Sequence, residues 1–137
     1  MDAHVPAETM TSAMFTALLE QLAAALTAGD HAAAAGCFAE DVRYRDPMRM
    51  SIDGRERLRQ AFEGEIIAQR LIWRRIVFDE AKQQGAAEFT AHGMSRFHGI
   101  VTIAVDDQRI TRWHALQHVS DFDWHDFWGT AVGKHSE

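Results

Sequence analysis

The chain has 137 residues, 47% of them apolar and 25% charged, which is enough for one domain with its own core. Its 14 basic and 20 acidic side chains give a net charge of −6, which argues against nucleic-acid binding because that function needs a basic surface. The lone Cys37 excludes an internal disulfide framework, and no apolar run approaches the length that a membrane span needs, so we expect a soluble cytoplasmic domain.

Two helices are predicted at the start of the chain. Residues 1–9 read as a flexible terminus. From Met10 the apolar side chains recur every three or four residues, which predicts a helix that Gly29 ends. Asp30 is placed to cap a second, alanine-rich helix over about residues 31–39.

The period changes from helical to alternating at Val42. Val42, Tyr44 and Asp46 alternate with two arginines, which predicts a short strand with these three side chains on one face. Pro47 ends this strand, because proline has no backbone N–H to donate. The Asp53-Gly54 turn then opens a third helix that runs to about residue 67. The apolar face of this helix consists of Leu58, Phe62, Ile66 and Ile67.

The second half of the chain is typical of strands. Residues 71–81, 86–97, 100–105 and 109–119 are joined by short turns, which predicts an antiparallel meander. The order of elements predicts an α+β fold for residues 10–130, with residues 131–137 as a flexible end. We expect a conical α+β barrel, in which a strongly curved, mostly antiparallel sheet wraps over the N-terminal helices and encloses a pocket. A short terminal helix carries the aromatic side chains Phe122, Trp124, Phe127 and Trp128.

Four segments carry a family resemblance. They are Ala28-Gly29-Asp30, Cys37-Phe38-Ala39-Glu40-Asp41-Val42 leading into Arg45-Asp46-Pro47, Ile52-Asp53-Gly54-Arg55-Glu56, and Gln108-Arg109-Ile110-Thr111-Arg112-Trp113. With them the chain resembles the nuclear transport factor 2-like superfamily, and within it the SnoaL-like cyclases and ketosteroid isomerases, over about residues 10–119. The resemblance implies cofactor-free chemistry and a homodimer formed through the sheet. This fold also hosts hydrolases and non-enzymes, so it does not by itself imply a reaction.

Asp46 is the first catalytic candidate. Ketosteroid isomerases hold their general base as an Asp directly before a Pro, at the same distance after a Gly-Asp pair, and Asp46 matches that position. Tyr44 lies two residues away on the same face, about 7 Å along the strand, so its hydroxyl can reach the same substrate as an acid or oxyanion donor. The alternative is that Asp46 is a turn residue satisfied by local backbone amides.

The resemblance also has departures. The isomerases' oxyanion-hole tyrosine would fall at about Leu22, and their protonated aspartate near Ile100 or Val101, and none of these side chains can donate a hydrogen bond. The usual oxyanion hole of a steroid isomerase is therefore not expected. The substrate pocket is predicted to be lined by Leu22, Phe62, Phe89, Ala91, Trp113, Ala115 and Gln117.

Histidines on the last strand are expected on its other face. His114 and His118 share that face with Ile110, Arg112 and Leu116, and the resemblance places it outside the pocket, where such proteins form dimers. Two histidines four residues apart on a strand are about 13 Å apart, so no metal site is expected. His92 and His98 are candidates for the mouth of the pocket.

Two functions remain open from the sequence. One is a cofactor-free isomerase, cyclase or hydratase that acts on a small apolar carbonyl compound, with Asp46 as base and Tyr44 as hydrogen-bond donor. The other is a non-catalytic ligand-binding or dimeric scaffold module of the same fold. The expected partners are a small apolar or carbonyl-containing molecule and a second copy of the chain, with no nucleic acid and no membrane.

Overall fold

The computed structural model describes residues 9–46, 50–64, 70–93 and 95–128. The helices are α1 (Ser12–Ala28), α2 (His31–Gly36), α3 (Arg55–Glu63) and α4 (Trp124–Phe127). The strands are β1 (Phe38–Asp46), β2 (Met50–Asp53), β3 (Arg70–Asp79), β4 (Gln84–His92), β5 (Arg96–Asp106) and β6 (Arg109–Val119). The termini expected to be flexible lie outside the described residues, apart from Thr9.

One curved, unclosed sheet of six strands forms the body of the fold. Its strand order is β2-β1-β6-β5-β4-β3. The run β3 to β6 is the antiparallel meander that the sequence predicts, and β1 pairs with β6 in parallel. The α+β class and the mostly antiparallel sheet are therefore confirmed. The parallel pair brings the end of β1 beside the middle of β6, and this juxtaposition builds the site described below.

Helix α1 closes the core side of the sheet. The Thr11 side chain accepts a hydrogen bond from the Met14 amide at its start, and Gly29 ends it in a left-handed conformation, with φ 73°. The buried face of α1 packs on the strands, and the indole N–H of Trp73 donates to the Leu19 carbonyl at 2.7 Å. The predicted start and end of this helix are thus confirmed by short-range capping. The buried residues of α1 are Phe15, Leu18, Leu19, Leu22, Ala25 and Leu26.

Two element boundaries differ from the sequence prediction. Helix α2 ends at Gly36 rather than residue 39, and β1 begins at Phe38 rather than Val42. The reason is tertiary: the Ile110 amide donates to the Cys37 carbonyl at 3.0 Å, which draws this segment into the sheet. Strand β2, which the sequence analysis missed, is a four-residue edge strand paired with β1.

The third helix is shorter than predicted. Helix α3 ends at Gly64, whose amide donates to the Gln60 carbonyl at 2.9 Å. Its predicted apolar face is confirmed at Leu58 and Phe62, which are buried, whereas Ile66 and Ile67 lie outside the described residues.

Ile110 does not lie on the face of β6 that alternation predicts. Its side chain is fully buried in the core, because a bulge interrupts the pairing of β5 with β6. Ala104 pairs with Arg112 and Val105 pairs with Ile110, so Thr111 has no partner of its own and the alternation shifts by one residue.

Within the described residues, no helix combines the length and the apolar character that crossing a bilayer requires.

Candidate functional site

A cavity lies between the core face of the sheet and helices α1 and α3. All nine candidate residues from the sequence analysis surround it: Asp46, Tyr44, Leu22, Phe62, Phe89, Ala91, Trp113, Ala115 and Gln117. Leu26, Phe38 and Leu71 complete the lining. The alternation of β1 and β6 therefore directs one face of each strand into the same space.

The cavity is small because aromatic side chains fill most of the cone. Its volume is about 30 Å³, and a buried water needs about 10–15 Å³ on this measure. The rings of Tyr44 and Trp113 stack, with centroids 5.5 Å apart and planes 8° apart. Phe38 and Trp73 pack around the same indole, with centroids 5.8 Å and 6.2 Å away. Any ligand larger than one or two water molecules must displace some of these side chains.

Asp46 provides the carboxylate of the cavity. It stands at the end of β1, is 4% exposed and points to the core side with Val42 and Tyr44. The side-chain amide of Gln117 donates to its Oδ2 atom at 2.7 Å. This bond from a side-chain amide orients the carboxyl group within the cavity. Of the described residues that line the cavity, Asp46 alone carries a carboxyl group.

Trp113 lines the same cavity and carries a hydrogen-bond donor. Its side chain is 3% exposed, and its indole Nε1 is buried with no hydrogen-bond partner among the described residues. The N–H of Trp73, in the same aromatic cluster, is by contrast satisfied by the Leu19 carbonyl. The residues that line the cavity thus include an oriented acceptor, Asp46, and a residue whose donor has no partner in the described part of the protein.

The opposite face of β6 lines a separate groove on the outside of the sheet. The groove has a volume of about 1090 Å³ and is lined by Arg112, His114, Leu116 and His118 of β6, Arg43 and Arg45 of β1, and Phe127 and Trp128 near the chain's end, among others. The expectation that His114 and His118 lie outside the cavity is confirmed. Burial, together with the positive charges of Arg112 and Arg45, lowers the pKa of His114.

His98 lies on this outer side and not at the mouth of the cavity as the sequence analysis expects. Its Nε2 donates to the Phe122 carbonyl at 2.8 Å, since a carbonyl can only accept, and its Nδ1 forms a hydrogen bond with the Thr90 hydroxyl at 2.9 Å. The ring also packs on Phe127. His98 therefore attaches the terminal aromatic segment to the outside of the sheet. His92 is likewise absent from the described lining of the cavity.

The sequence of this chain matches one family. The model of the SnoaL-like domain matches residues 19–113, well over half of the chain. The chain belongs to the SnoaL-like domain family. Comparison of this SnoaL-like protein with curated protein sequences gives no match.

Solved structures share the fold of this SnoaL-like protein. An epoxide hydrolase from M. tuberculosis, described as LEH-like, aligns with a TM-score of 0.67 at 19% identity, over 92% of this chain and 98% of that one. A candidate ketosteroid isomerase from Kribbella flavida aligns with a TM-score of 0.66 at 23% identity, over 81% and 82% of the two chains. An NTF2-like protein of unknown function from Cytophaga hutchinsonii aligns with a TM-score of 0.67 at 14% identity, over 81% and 93%. At these identities the likeness establishes the fold and leaves the reaction open.

Two features of the site in this SnoaL-like protein have no counterpart in the sequence analysis. The first is the bond from Gln117 to Asp46, because Gln117 was expected to shape the substrate and not to hold the carboxylate. The parallel register, in which Tyr44 pairs with Trp113, brings Gln117 close to Asp46. Local sequence patterns do not reveal this register. The second is the unpartnered N–H of Trp113.

The described residues contain no group of three His, Cys, Asp or Glu side chains that could hold a metal ion.

Proposed function

We propose that this protein is a cofactor-free isomerase, cyclase or hydratase that acts on a small apolar carbonyl compound, with Asp46 as the general base. The observation that carries the proposal is a buried carboxylate, the one among the described residues that line the cavity, which is oriented by Gln117. A positioned carboxylate can remove a proton from the carbon next to a carbonyl group and return it to the same or a conjugated carbon. No group other than the carboxyl needs to store the proton between these steps.

Tyr44 is the proposed hydrogen-bond donor to the substrate oxygen. It shares the core face of β1 with Asp46, about 7 Å away along the strand, and its ring is held against Trp113 by stacking. Leu22, Phe62, Phe89, Ala91 and Ala115 would form the apolar wall around the substrate, and Trp113 would limit its length. The small volume of the cavity favours a compact substrate.

Proton exchange in heavy water tests this proposal. The protein is incubated with a panel of enolisable ketones, from acetone and cyclopentanone to larger cyclic enones, and deuterium incorporation is followed by NMR. In the Asp46→Asn variant, which keeps the shape of the side chain, we expect catalysed exchange to fall by about 10²-fold or more, because the base is lost.

Asp41→Asn is the matched control for this experiment. Asp41 lies on the same strand, and its side chain is exposed, so the substitution removes the same charge without touching the cavity. Wild-type exchange in the Asp41 variant, combined with loss in the Asp46 variant, supports the proposal. Equal exchange in the wild type and the Asp46 variant would remove Asp46 from the mechanism.

The alternative function is a ligand-binding or dimeric scaffold module without chemistry. The observation that favours it is the nearly filled cavity, which leaves about 30 Å³ for a substrate. If no ketone exchanges faster with protein than without it, while ligands still bind in the cavity, this alternative replaces the enzyme. In either case we propose that two copies associate through the outer groove of the sheet, as the apolar and charged side chains there indicate.

A further inference from the structure

We propose that the indole N–H of Trp113 binds the oxygen atom of the ligand in the cavity and acts as an oxyanion donor beside Tyr44. The inference rests on the proposed function for the chemical step, although the binding of an oxygen acceptor by Trp113 does not depend on catalysis. It assigns to Trp113 a polar role beyond the shaping of the pocket.

The first argument is the unsatisfied donor itself. Most buried polar atoms in folded proteins have a hydrogen-bond partner, so a buried N–H without one needs an explanation. Trp113 Nε1 is buried and has no partner in the described part of the chain. The residue nevertheless lines a cavity to which Asp46 and Gln117 also contribute. An indole nitrogen is a donor only, so the missing partner must be an acceptor. An oxygen atom of a ligand supplies one.

The second argument is a comparison within the same cluster. Trp73 packs against Trp113 with ring centroids 6.2 Å apart and is buried in part, yet its N–H reaches the Leu19 carbonyl at 2.7 Å. Among the described residues, the fold therefore provides a backbone acceptor for one indole and none for its neighbour. The rings around Trp113 offer only the weak acceptor of an aromatic face.

The third argument is the geometry between donor and base. Tyr44 is the Cα partner of Trp113 in the parallel pair, and Asp46 follows two residues later on the same face. From strand spacing and rise, the Cα atoms of Asp46 and Trp113 are therefore about 8 Å apart. Both side chains line the same cavity, so a small carbonyl compound that displaces part of the aromatic filling would place its acidic C–H at Asp46 and its oxygen at the indole.

The electron flow of the chemical step is balanced without any further group. Asp46 takes the proton from the carbon next to the carbonyl, and the electrons of that C–H bond form a carbon–carbon double bond. The π electrons of the carbonyl move to its oxygen, which becomes an enolate oxygen and accepts the hydrogen bond from Trp113. Return of the proton from Asp46 to carbon reverses this flow. Trp113 keeps its proton throughout and stabilises the charge that develops on oxygen.

The test uses two ligands of the same shape. Cyclopentanone and methylenecyclopentane differ only in an oxygen that replaces a CH₂ group. The chain has four tryptophans, so ¹⁵N labelling gives four indole N–H signals, and the Trp113→Phe variant assigns one of them. We expect the ketone to move the Trp113 indole proton downfield, as a new hydrogen bond does. The hydrocarbon is expected to bind without this shift.

Substitutions then separate hydrogen bonding from packing. Trp113→Phe is expected to weaken ketone binding by about 10-fold and to leave hydrocarbon binding within about 2-fold of the wild type, because one neutral hydrogen bond is lost. Trp73→Phe is the matched control: it removes the bond to Leu19 and is expected to weaken both ligands equally or neither. For catalysed exchange, loss of an oxyanion donor corresponds to a decrease of about 10²-fold in Trp113→Phe.

The outcomes distinguish this inference from the proposed function. A ketone-specific shift at Trp113, without any catalysed exchange, would support the donor and contradict the enzyme. Catalysed exchange that depends on Asp46, with no shift at Trp113 and wild-type rates in Trp113→Phe, would overturn the inference and keep the enzyme. Failure of every ketone in the panel, acetone included, to perturb the Trp113 signal would also overturn it.

Discussion

Cys37 illustrates how the environment of one residue decides its chemistry. Its side chain is 1% exposed at the junction of α2 and β1, and its thiol lies 3.6 Å from the Ala33 carbonyl. Burial raises the pKa of the Cys37 thiol from 9.0 to about 11, and the charge of Arg109 opposes only part of that effect. Since the thiolate is the reactive form, Cys37 is inert packing and not a nucleophile.

The first prediction concerns the reactivity of this thiol. At pH 8 we expect Cys37 in the folded protein to react with a disulfide reagent such as Ellman's reagent at least about 100-fold more slowly than in denaturant, because both the thiolate fraction and the access are reduced. Cys37 is the one cysteine of the chain, so the unfolded protein is its own control. Labelling of the folded protein at the rate of a free thiol would contradict the buried position.

The raised pKa of Cys37 also fixes the sign of a pH effect on stability. The folded protein keeps the thiol proton at pH values where the unfolded chain has begun to release it. The protonated Cys37 thiol therefore makes its full contribution to the free energy of unfolding below about pH 9. As the pH rises from there to about 11, the free energy of unfolding falls. Urea titrations over this range, compared with Cys37→Ala, should show a flatter profile in the variant.

At the residue scale, the sequence predicts well which face of its strand a side chain lies on. It predicts poorly which side chains of different strands meet. Alternation along β1 correctly places Asp46 and Tyr44 on one face, because strand geometry leaves no other choice. The same rule places Trp113 and Gln117 together on β6. That Gln117 reaches Asp46 depends on two strands separated by 71 positions in the chain, which no local pattern encodes.

At the scale of the elements, Gly99 marks a place where two strands leave no room for a side chain. A Cβ atom at this position would lie 2.2 Å from the Leu116 carbonyl oxygen and 2.8 Å from the Cα atom of Gln117. Both atoms belong to the backbone of β6, which can move aside only if the sheet itself distorts. Gly99 is therefore required by the close approach of β5 to β6, next to the residue that orients Asp46.

The second prediction follows from this contact. We expect Gly99→Ala to lower the free energy of unfolding by about 2 kcal/mol, in the range of overpacked sites. We also expect it to reduce any Asp46-dependent activity, because Gln117 must shift. Gly36→Ala is the matched control: no atom lies within 4 Å of its added Cβ, so stability should stay the same or rise slightly. Urea unfolding of both variants measures the difference, and a Gly99→Ala protein as stable as wild type would contradict the packing described here.

The elements that the sequence predicts correctly are those defined by short-range interactions. Helix α1 follows from apolar spacing with a Thr11 cap and a Gly29 end, all within its own length. Strand β2 was missed because four residues carry too little pattern, and its pairing with β1 defines it. The basic side chains in the first turns of α3 oppose the helix dipole. The ion pairs of Arg59 with Glu56 and Glu63 on the same helix offset part of this unfavourable effect.

At the scale of the whole molecule, the outer face of the sheet and the segment after β6 expose large apolar side chains. Leu116, Val119 and Phe122 are more than 60% exposed, which is unusual for neighbouring apolar side chains on a soluble domain. The basic region of the outer groove contains Arg43, Arg45, Arg112 and His114, and the acidic region that follows β6 in the chain contains the exposed Asp121, Asp123 and Asp126.

We propose a homodimer with a two-fold axis near Leu116. In this proposal the basic region of each copy meets the acidic region of the other, and the apolar side chains are buried between them. An axis that brought like regions together would place like charges opposite each other.

The third prediction tests this interface. We expect Leu116→Glu to convert a dimer to a monomer at micromolar concentration, because two buried carboxylates would meet near the two-fold axis. Val77→Glu is the matched control: Val77 is 48% exposed on β3 and lies outside the described lining of the outer groove, so the same substitution should leave the dimer intact. Sedimentation equilibrium over a range of concentrations gives the mass of each variant. A monomeric wild type would contradict the proposed interface, and so would dissociation caused equally by both substitutions.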